Sequence, residues 1–200
     1  MGTTAMDIDD IKWLREVTGA GIMEAKRALQ EAGGDRQKAV KILEQQGAAS
    51  AAKRASRSAA QGIVEPYIHP GGQIGVIVEL DSETDFVSRT PEFKELAHEI
   101  ALQVAATNPT YLSIDDIPST EAEEMKVRFR EEAIKEGKPE KIAGNIAEGR
   151  FKKFAQGIAL LDQPYIRDES RTIRQLVNDL SGRTRENIVV KRFCRFQVGL

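Results

Sequence analysis

The sequence predicts an α+β fold, and three observations carry that expectation. Amphipathic helical stretches open the chain, a β-hairpin pattern lies in its middle, and a long helix with a broad apolar stripe follows the hairpin directly. The expected organisation is a short tail at 1–6, three small helices at 7–47, a helical linker at 48–61 and an α+β core at 62–200 with an antiparallel sheet and packed helices. With 200 residues, 40% apolar and 30% charged, the chain has the composition of a globular protein of one or two domains.

The N-terminal helices follow from spacing. Ile8, Ile11 and Leu14 recur every three residues, and Val17 extends the row. Gly19 and Gly21 break the helix, since two glycines within three residues favour a tight turn. Ala25, Ala28, Leu29 and Ala32 then mark one face of a second helix, which Gly33 and Gly34 end. Asp35 is placed to cap a third helix that turns Ala39, Val40 and Leu43 inward and is expected to stop at Gly47. Three helices of this size make a very small core, of the kind found in recognition modules more often than in catalytic ones. Residues 48–60 (AASAAKRASRSAA) have high helix propensity but little bulk to bury.

The hairpin is signalled by Ile63, Val64, Tyr67 and Ile68, then the turn residues Pro70, Gly71 and Gly72, then the alternation of Ile74, Val76, Val78 and Leu80. After it, Phe93, Leu96, Ala97, Ile100, Ala101, Val104 and Ala105 define the clearest helix of the chain. Thr90 stands at its N-cap, Pro91 at its first position, and Asn108-Pro109 at its end. His98 falls off this stripe and is expected in solvent. A capping-box pattern at Thr120 opens a charged helix to about Glu136. Another helix over 139–156 is expected to turn Ile142, Ala143, Ile146, Ala147, Phe151 and Phe154 inward. A short helix is expected from Ser170 to Leu180, and a last strand from Asn187 to Val198. Neither side of that strand is cleanly apolar, which suits an edge or an interface.

Composition excludes several function classes. The chain carries 29 basic against 31 acidic residues, so its net charge of -2 argues against a dedicated nucleic-acid binder. No apolar run reaches the roughly 18 residues that would span a bilayer, and residues 1–6 lack the features of a signal peptide. The expected compartment is the cytoplasm. The single cysteine, Cys194, excludes an intramolecular disulfide and a multi-cysteine zinc site, and His69 and His98 are too few for a histidine-based metal centre. No metal or cofactor is expected. No catalytic residue is expected either: the carboxylates are not paired in an apolar setting, no Gly-x-Ser-x-Gly elbow occurs, and Cys194 has no histidine near it in sequence.

What remains is the junction Thr84-Asp85-Phe86-Val87, between the second hairpin strand and the long helix. Connections at such junctions carry function more often than the elements they join. Phe86 must either tuck into the core, where phenylalanine is usually found, or point at a partner.

Three ordered motifs resemble the elongation factor Ts family. They are Leu14 to Met23 (LREVTGAGIM) with Lys26 to Leu29 (KRAL), Glu79 to Val87 (ELDSETDFV), and Glu136 to Pro139 (EGKP) with Ile146 to Arg150 (IAEGR). Together they run from about residue 7 to the C-terminus. The resemblance implies a guanine-nucleotide exchange factor for the translational GTPase elongation factor Tu, with no bond-making chemistry of its own. It implies that residues 7–47 form a ubiquitin-associated-type domain that docks on the GTPase, with Arg15, Ile22 and Met23 at the contact. It implies that Thr84, Asp85, Phe86 and Val87 displace the magnesium ion beside the bound nucleotide. Read from the helix alone, Ile22 fits a core and Met23 an exposed, adaptable position. Longer members carry a second core repeat for which this chain has no room, so it resembles the short form, which pairs two chains in a homodimer.

Two other readings stay open on the residues alone, besides a third, an enzyme around Cys194 that would lose activity on thiol alkylation. One is a helical adaptor whose function survives in residues 1–50. The other is a weak RNA-binding translation protein using Lys53, Arg54 and Arg57, although no aromatics are interleaved there for base stacking.

Overall fold

A computed structural model describes residues 8–199; the tail expected at 1–6 lies outside the described residues. The backbone forms two compact units. The first combines residues up to Ile63 with Leu80–Leu96 and Gln175–Val189, and the second combines Val64–Glu79, Ala97–Arg174 and Val190–Leu200. The expected α+β class is what the chain adopts: helices account for most of it, with a three-stranded antiparallel sheet.

In the first unit, α1 (Ile8–Thr18), α2 (Ile22–Glu31) and α3 (Arg36–Arg54) share a core of Leu14, Ala25, Ala28, Leu29 and Ala39, with Ile11, Trp13, Val40 and Leu43 packed against it. The alanines allow the helices to approach closely. Of the row read along α1, Leu14 is buried while Ile8 and Val17 are exposed. A strict three-residue row swings by about 60° per step around a helix of 3.6 residues per turn, so its ends leave the core face. Gly19, at φ +68°, turns the chain from α1 into α2, and its N–H donates to the Arg15 carbonyl over 2.8 Å. Asp35 caps α3 by accepting the Lys38 N–H at 3.0 Å, and this bond holds its carboxyl below the usual carboxylate range. The cap is therefore strongest above the ordinary carboxylate pKa and weakens as pH falls through the depressed value. Contrary to expectation, α3 does not stop at Gly47. A glycine inside a helix costs only about 1 kcal/mol relative to alanine, and Ala48, Ala49, Ala51 and Ala52 carry the helix on to Arg54.

The same unit holds the start of β1 (Gln61–Ile68) and the end of β2 (Ile74–Ser82). Here Gly62 is required by close approach. A Cβ at this position would lie 2.3 Å from the Leu80 carbonyl oxygen and 2.9 Å from the Asp81 Cα, both backbone atoms that cannot swing aside. Gly62→Ala is expected to lower stability by about 1–3 kcal/mol through overpacking, read as a lower thermal midpoint with an unchanged far-UV spectrum. An unchanged midpoint would show that the strands part without cost.

In the second unit the sheet runs in the order β1-β2-β5, with β5 spanning Val189–Gln197. The Val198 N–H donates to the Gln73 carbonyl, and Arg192 pairs with Glu79. Stepping back along β2 thus corresponds to stepping forward along β5, the mark of antiparallel pairing. The last strand is an edge, as its mixed pattern suggested. Val76 and Val78 are buried, and so are Ile100, Ala101 and Val104 of α5, which follows as Pro91–Thr107. The α5 stripe read from sequence is buried along its whole length. His98 is not simply solvated: its Nδ1 lies 3.1 Å from Glu65 Oε1, and its ring meets that of Tyr67 edge-on. The asparagine ending α5, Asn108, adopts φ +47°, a left-handed conformation that asparagine tolerates.

The helices α6 (Ser119–Lys135) and α7 (Glu140–Ile158) form a pair joined at Gly137. The capping box expected at Thr120 does not form, because α6 begins at Ser119 behind Pro118. Glu121 instead accepts the Tyr111 hydroxyl, and that bond raises the tyrosine pKa. In α7 the fully buried residues are Ala143, Ala147 and Ala155, whereas Ile142, expected inward, is exposed, and Phe154, also expected inward, is partly exposed with its ring edge-on to Phe129 of α6. A helix pair has one narrow seam, and small side chains let the axes approach. The helix expected from Ser170 begins only at Ile173. Residues Asp168–Thr172 form β4, paired antiparallel with β3 (Pro164–Tyr165), before α8 (Ile173–Thr184). Gln103, buried on α5, ties this region together: it donates to Gln163 and to the Pro164 carbonyl and accepts the Ile166 N–H. Among the described residues no helix is long and apolar enough to cross a membrane.

Candidate functional site

The seven residues singled out by sequence all lie in the first unit. β2 delivers Ser82, fully buried, whose hydroxyl donates to the Thr84 carbonyl over 2.9 Å. The chain then makes one helical turn, α4 (Asp85–Ser88), where a simple loop was expected. Thr84 is its N-cap, with extended backbone at φ −127°, ψ 156°. Ser88 is buried and its hydroxyl donates back to the Asp85 carbonyl. Thr90 closes the turn by donating to the Val87 carbonyl, and its Oγ1 accepts the Phe93 N–H at the start of α5, as the capping argument required.

This arrangement decides the position of Phe86. Asp85 bonds Arg89 at 2.7 Å one turn on, Ser88 faces inward, Val87 is half-buried, and Phe86 is 83% exposed. A phenylalanine left this far in water forfeits most of the roughly 1.5–3 kcal/mol that burial would bring. It stands on a turn held at both ends.

The turn is also held from the side, by residues distant in sequence. The Glu186 carboxylate accepts the Thr84 N–H at 3.0 Å and the Thr84 hydroxyl at 2.6 Å. One residue earlier, Glu83 accepts the Asn187 N–H at 2.6 Å, and Arg57 donates to the same Glu83 oxygen at 3.4 Å. Asn187 donates its side-chain amide to the Arg57 carbonyl, while Ser181 donates to the Glu186 carbonyl and accepts from Arg54. Arg54 and Arg57, read as part of a linker, are thus engaged in the frame of the turn. Sequence reasoning missed Glu83, Glu186 and Asn187 as a group, because a separation of about a hundred residues leaves no local signal.

Arg15, Ile22 and Met23 flank the first interhelical turn. Arg15 is exposed and its Nε donates to the Ala20 carbonyl over 3.3 Å. Ile22 and Met23 open α2 and are 57% and 59% exposed. The core position suggested for Ile22 is therefore corrected: the α2 face that packs begins at Ala25, and both larger side chains stand outside it. Among the described residues no group of three or more His, Cys, Asp or Glu side chains is arranged to hold a metal ion.

The family model for elongation factor Ts matches residues 23–200. The chain belongs to the elongation factor Ts family. It is 48% identical over 190 residues to elongation factor Ts of Moorella thermoacetica, covering 95% of this chain and 94% of that one. It is 49% identical over 189 residues to elongation factor Ts of Caldanaerobacter subterraneus subsp. tengcongensis, covering 94% of each. Family membership makes it a translation elongation factor, and its exposed Phe86 and braced turn belong to a protein of that class.

Proposed function

We propose that the protein is a guanine-nucleotide exchange factor for elongation factor Tu, acting in the cytoplasm without bond-making chemistry. The observation that carries the reading is the isolation of Phe86, 83% exposed on a turn that the bonds of Thr84, Asp85, Ser88 and Thr90 hold in place. An exchange factor needs only to bind the nucleotide-free GTPase better than the loaded one, and that coupling is reciprocal. A thousandfold weakening of nucleotide by the factor, ~4 kcal/mol, is matched by a thousandfold weakening of the factor by nucleotide. In this reading residues 7–47 are a ubiquitin-associated-like docking domain with Arg15, Ile22 and Met23 at the contact, 48–61 connect it, and 62–200 form the core. Thr84 and Val87 hold the turn, Asp85 orients it through Arg89, and Phe86 displaces the elements that hold Mg²⁺ beside the nucleotide. The test is to load elongation factor Tu with a fluorescent guanine nucleotide and add the protein. Accelerated release is expected, and release at the intrinsic rate would overturn the reading.

The RNA-binding alternative loses support, because Arg54 and Arg57 bond Ser181 and Glu83 rather than standing ready for phosphate. No direct nucleic-acid contact is part of the proposal.

We also propose that the protein is a homodimer. Val64, Ile68, Ile77 and Phe196 are exposed on the sheet, with Cys194 exposed on the edge strand beside them. Apolar surface of this kind on a soluble protein marks an interaction site, and a two-fold axis would set the same patch against itself. Sedimentation at micromolar concentration is expected to show a dimer that Phe196→Asp, 68% exposed in the single chain, converts to monomer. A wild-type monomer would refute the assignment.

A further inference from the structure

We infer that Glu186 is a positioning residue for the exchange step, setting the orientation of the Thr84–Val87 turn through both oxygens of its carboxylate. The inference rests on the exchange reading and adds to it a residue that none of the family motifs contains. Glu186 stands between α8 and β5, immediately after Arg185, which is held in the left-handed region at φ +62°. The left-handed residue redirects the chain, so that Glu186 faces β2 and Asn187 follows it.

The geometry is two-point. Thr84 N donates to Oε2 at 3.0 Å and Thr84 Oγ1 donates to Oε1 at 2.6 Å. One bond would leave the threonine free to rotate about it, whereas two fix the plane of the N-cap and with it the direction in which the next turn points. Bonds from neutral donors to an ionised carboxylate are also stronger than those between neutral groups. Glu186 is itself immobilised. Its carbonyl accepts the Ser181 hydroxyl at 2.6 Å, and the neighbouring Asn187 N–H is held by Glu83 at 2.6 Å. Glu83 and Glu186 therefore clasp in opposite directions: a β2-side carboxylate grips the Asn187 backbone, and a β5-side carboxylate grips the Thr84 backbone. Phe86 follows Thr84 by two residues. A tilt at the N-cap would swing its ring by several ångströms, which is enough to miss a narrow target while leaving the docking face of α1 and α2 intact.

The test measures the release of fluorescent nucleotide from elongation factor Tu against factor concentration, for wild type, Glu186→Ala, Glu186→Gln and Thr84→Val. Glu186→Ala is expected to lower the maximal rate about tenfold while changing the half-saturating concentration by less than about threefold. Glutamine can accept the Thr84 N–H through its oxygen and donate to the hydroxyl through its amide. Glu186→Gln is therefore expected to stay within about threefold of wild type. Thr84→Val removes only the hydroxyl bond and tests the same geometry should Glu186→Ala fail to fold. It is expected to lower the maximal rate about threefold. Amide hydrogen exchange at Thr84 should accelerate in Glu186→Ala without a matching change in the α2 amides. A maximal rate unchanged in both Glu186→Ala and Thr84→Val, or a loss confined to the half-saturating concentration, overturns the inference while leaving the exchange reading standing. Wild type that fails to accelerate release overturns both.

Discussion

Phe86→Ala is expected to slow factor-stimulated nucleotide release about 10- to 100-fold at saturating factor, the loss that truncating a central aromatic anchor brings. The variant should remain as stable as wild type, because the ring is 83% exposed and its removal opens no cavity. Binding to the nucleotide-free GTPase should weaken much less than release slows, since the proposed docking surface on α1 and α2 is untouched. The physical reason lies in the metal. Mg²⁺ demands near-ideal octahedral geometry, so a small displacement of its ligands is costly to the loaded state. A rigid aromatic ring achieves that displacement with little rotamer entropy to lose. Chelating Mg²⁺ does the same work by another route, so the difference between Phe86→Ala and wild type should shrink when the metal is removed. A variant that stimulates release as fast as wild type in millimolar Mg²⁺ would show that Phe86 is a bystander.

Replacing Ile22 and Met23 together by serine should give the opposite kinetic signature. Association is expected to weaken about 30-fold, the scale of one interface anchor worth ~2 kcal/mol, with the maximal rate of release near that of wild type. Both side chains are more than half exposed and stand outside the core that begins at Ala25. The free protein should therefore melt within about 0.5 kcal/mol of wild type. If the substitutions lower the maximal rate and leave the half-saturating concentration unchanged, these residues do not dock.

The two signatures together separate docking from displacement. On the proposed reading, a maximal-rate defect belongs to the turn after β2, and a concentration defect to the turn after α1. Glu186→Ala should fall with Phe86→Ala, although it lies a hundred residues away in sequence.

Periodicity and turn chemistry determined most of the secondary structure. The α5 stripe from Phe93 to Ala105, the hairpin with its Gly71-Gly72 turn and the Asp35 cap all arise from interactions within a few residues, which a sequence displays directly. Composition likewise shapes the expectation about chemistry, since one cysteine and two histidines offer little to build a reactive centre from. Errors came where local preference met its surroundings. Gly47 favours a helix stop, but the alanine run after it outweighs one unfavourable residue. Ile142 fits an inward row but is exposed, and Phe154 is partly exposed although its ring meets Phe129 of α6 edge-on. Ser170 fits a helix start, but pairing with β3 draws Asp168–Thr172 into a strand. The exposure of Phe86 follows from no local pattern in the sequence and was implied there only by the family resemblance. Phenylalanine is usually buried, and nothing within the motif says which way the ring points. That direction is imposed by Glu186, Glu83 and Asn187, which meet the turn only because β2 and the α8–β5 connection are brought together by the fold. Contacts between near neighbours thus made most of the elements legible in the sequence. The tertiary structure alone decided what the turn presents, because the groups that hold it are brought together only by long-range packing.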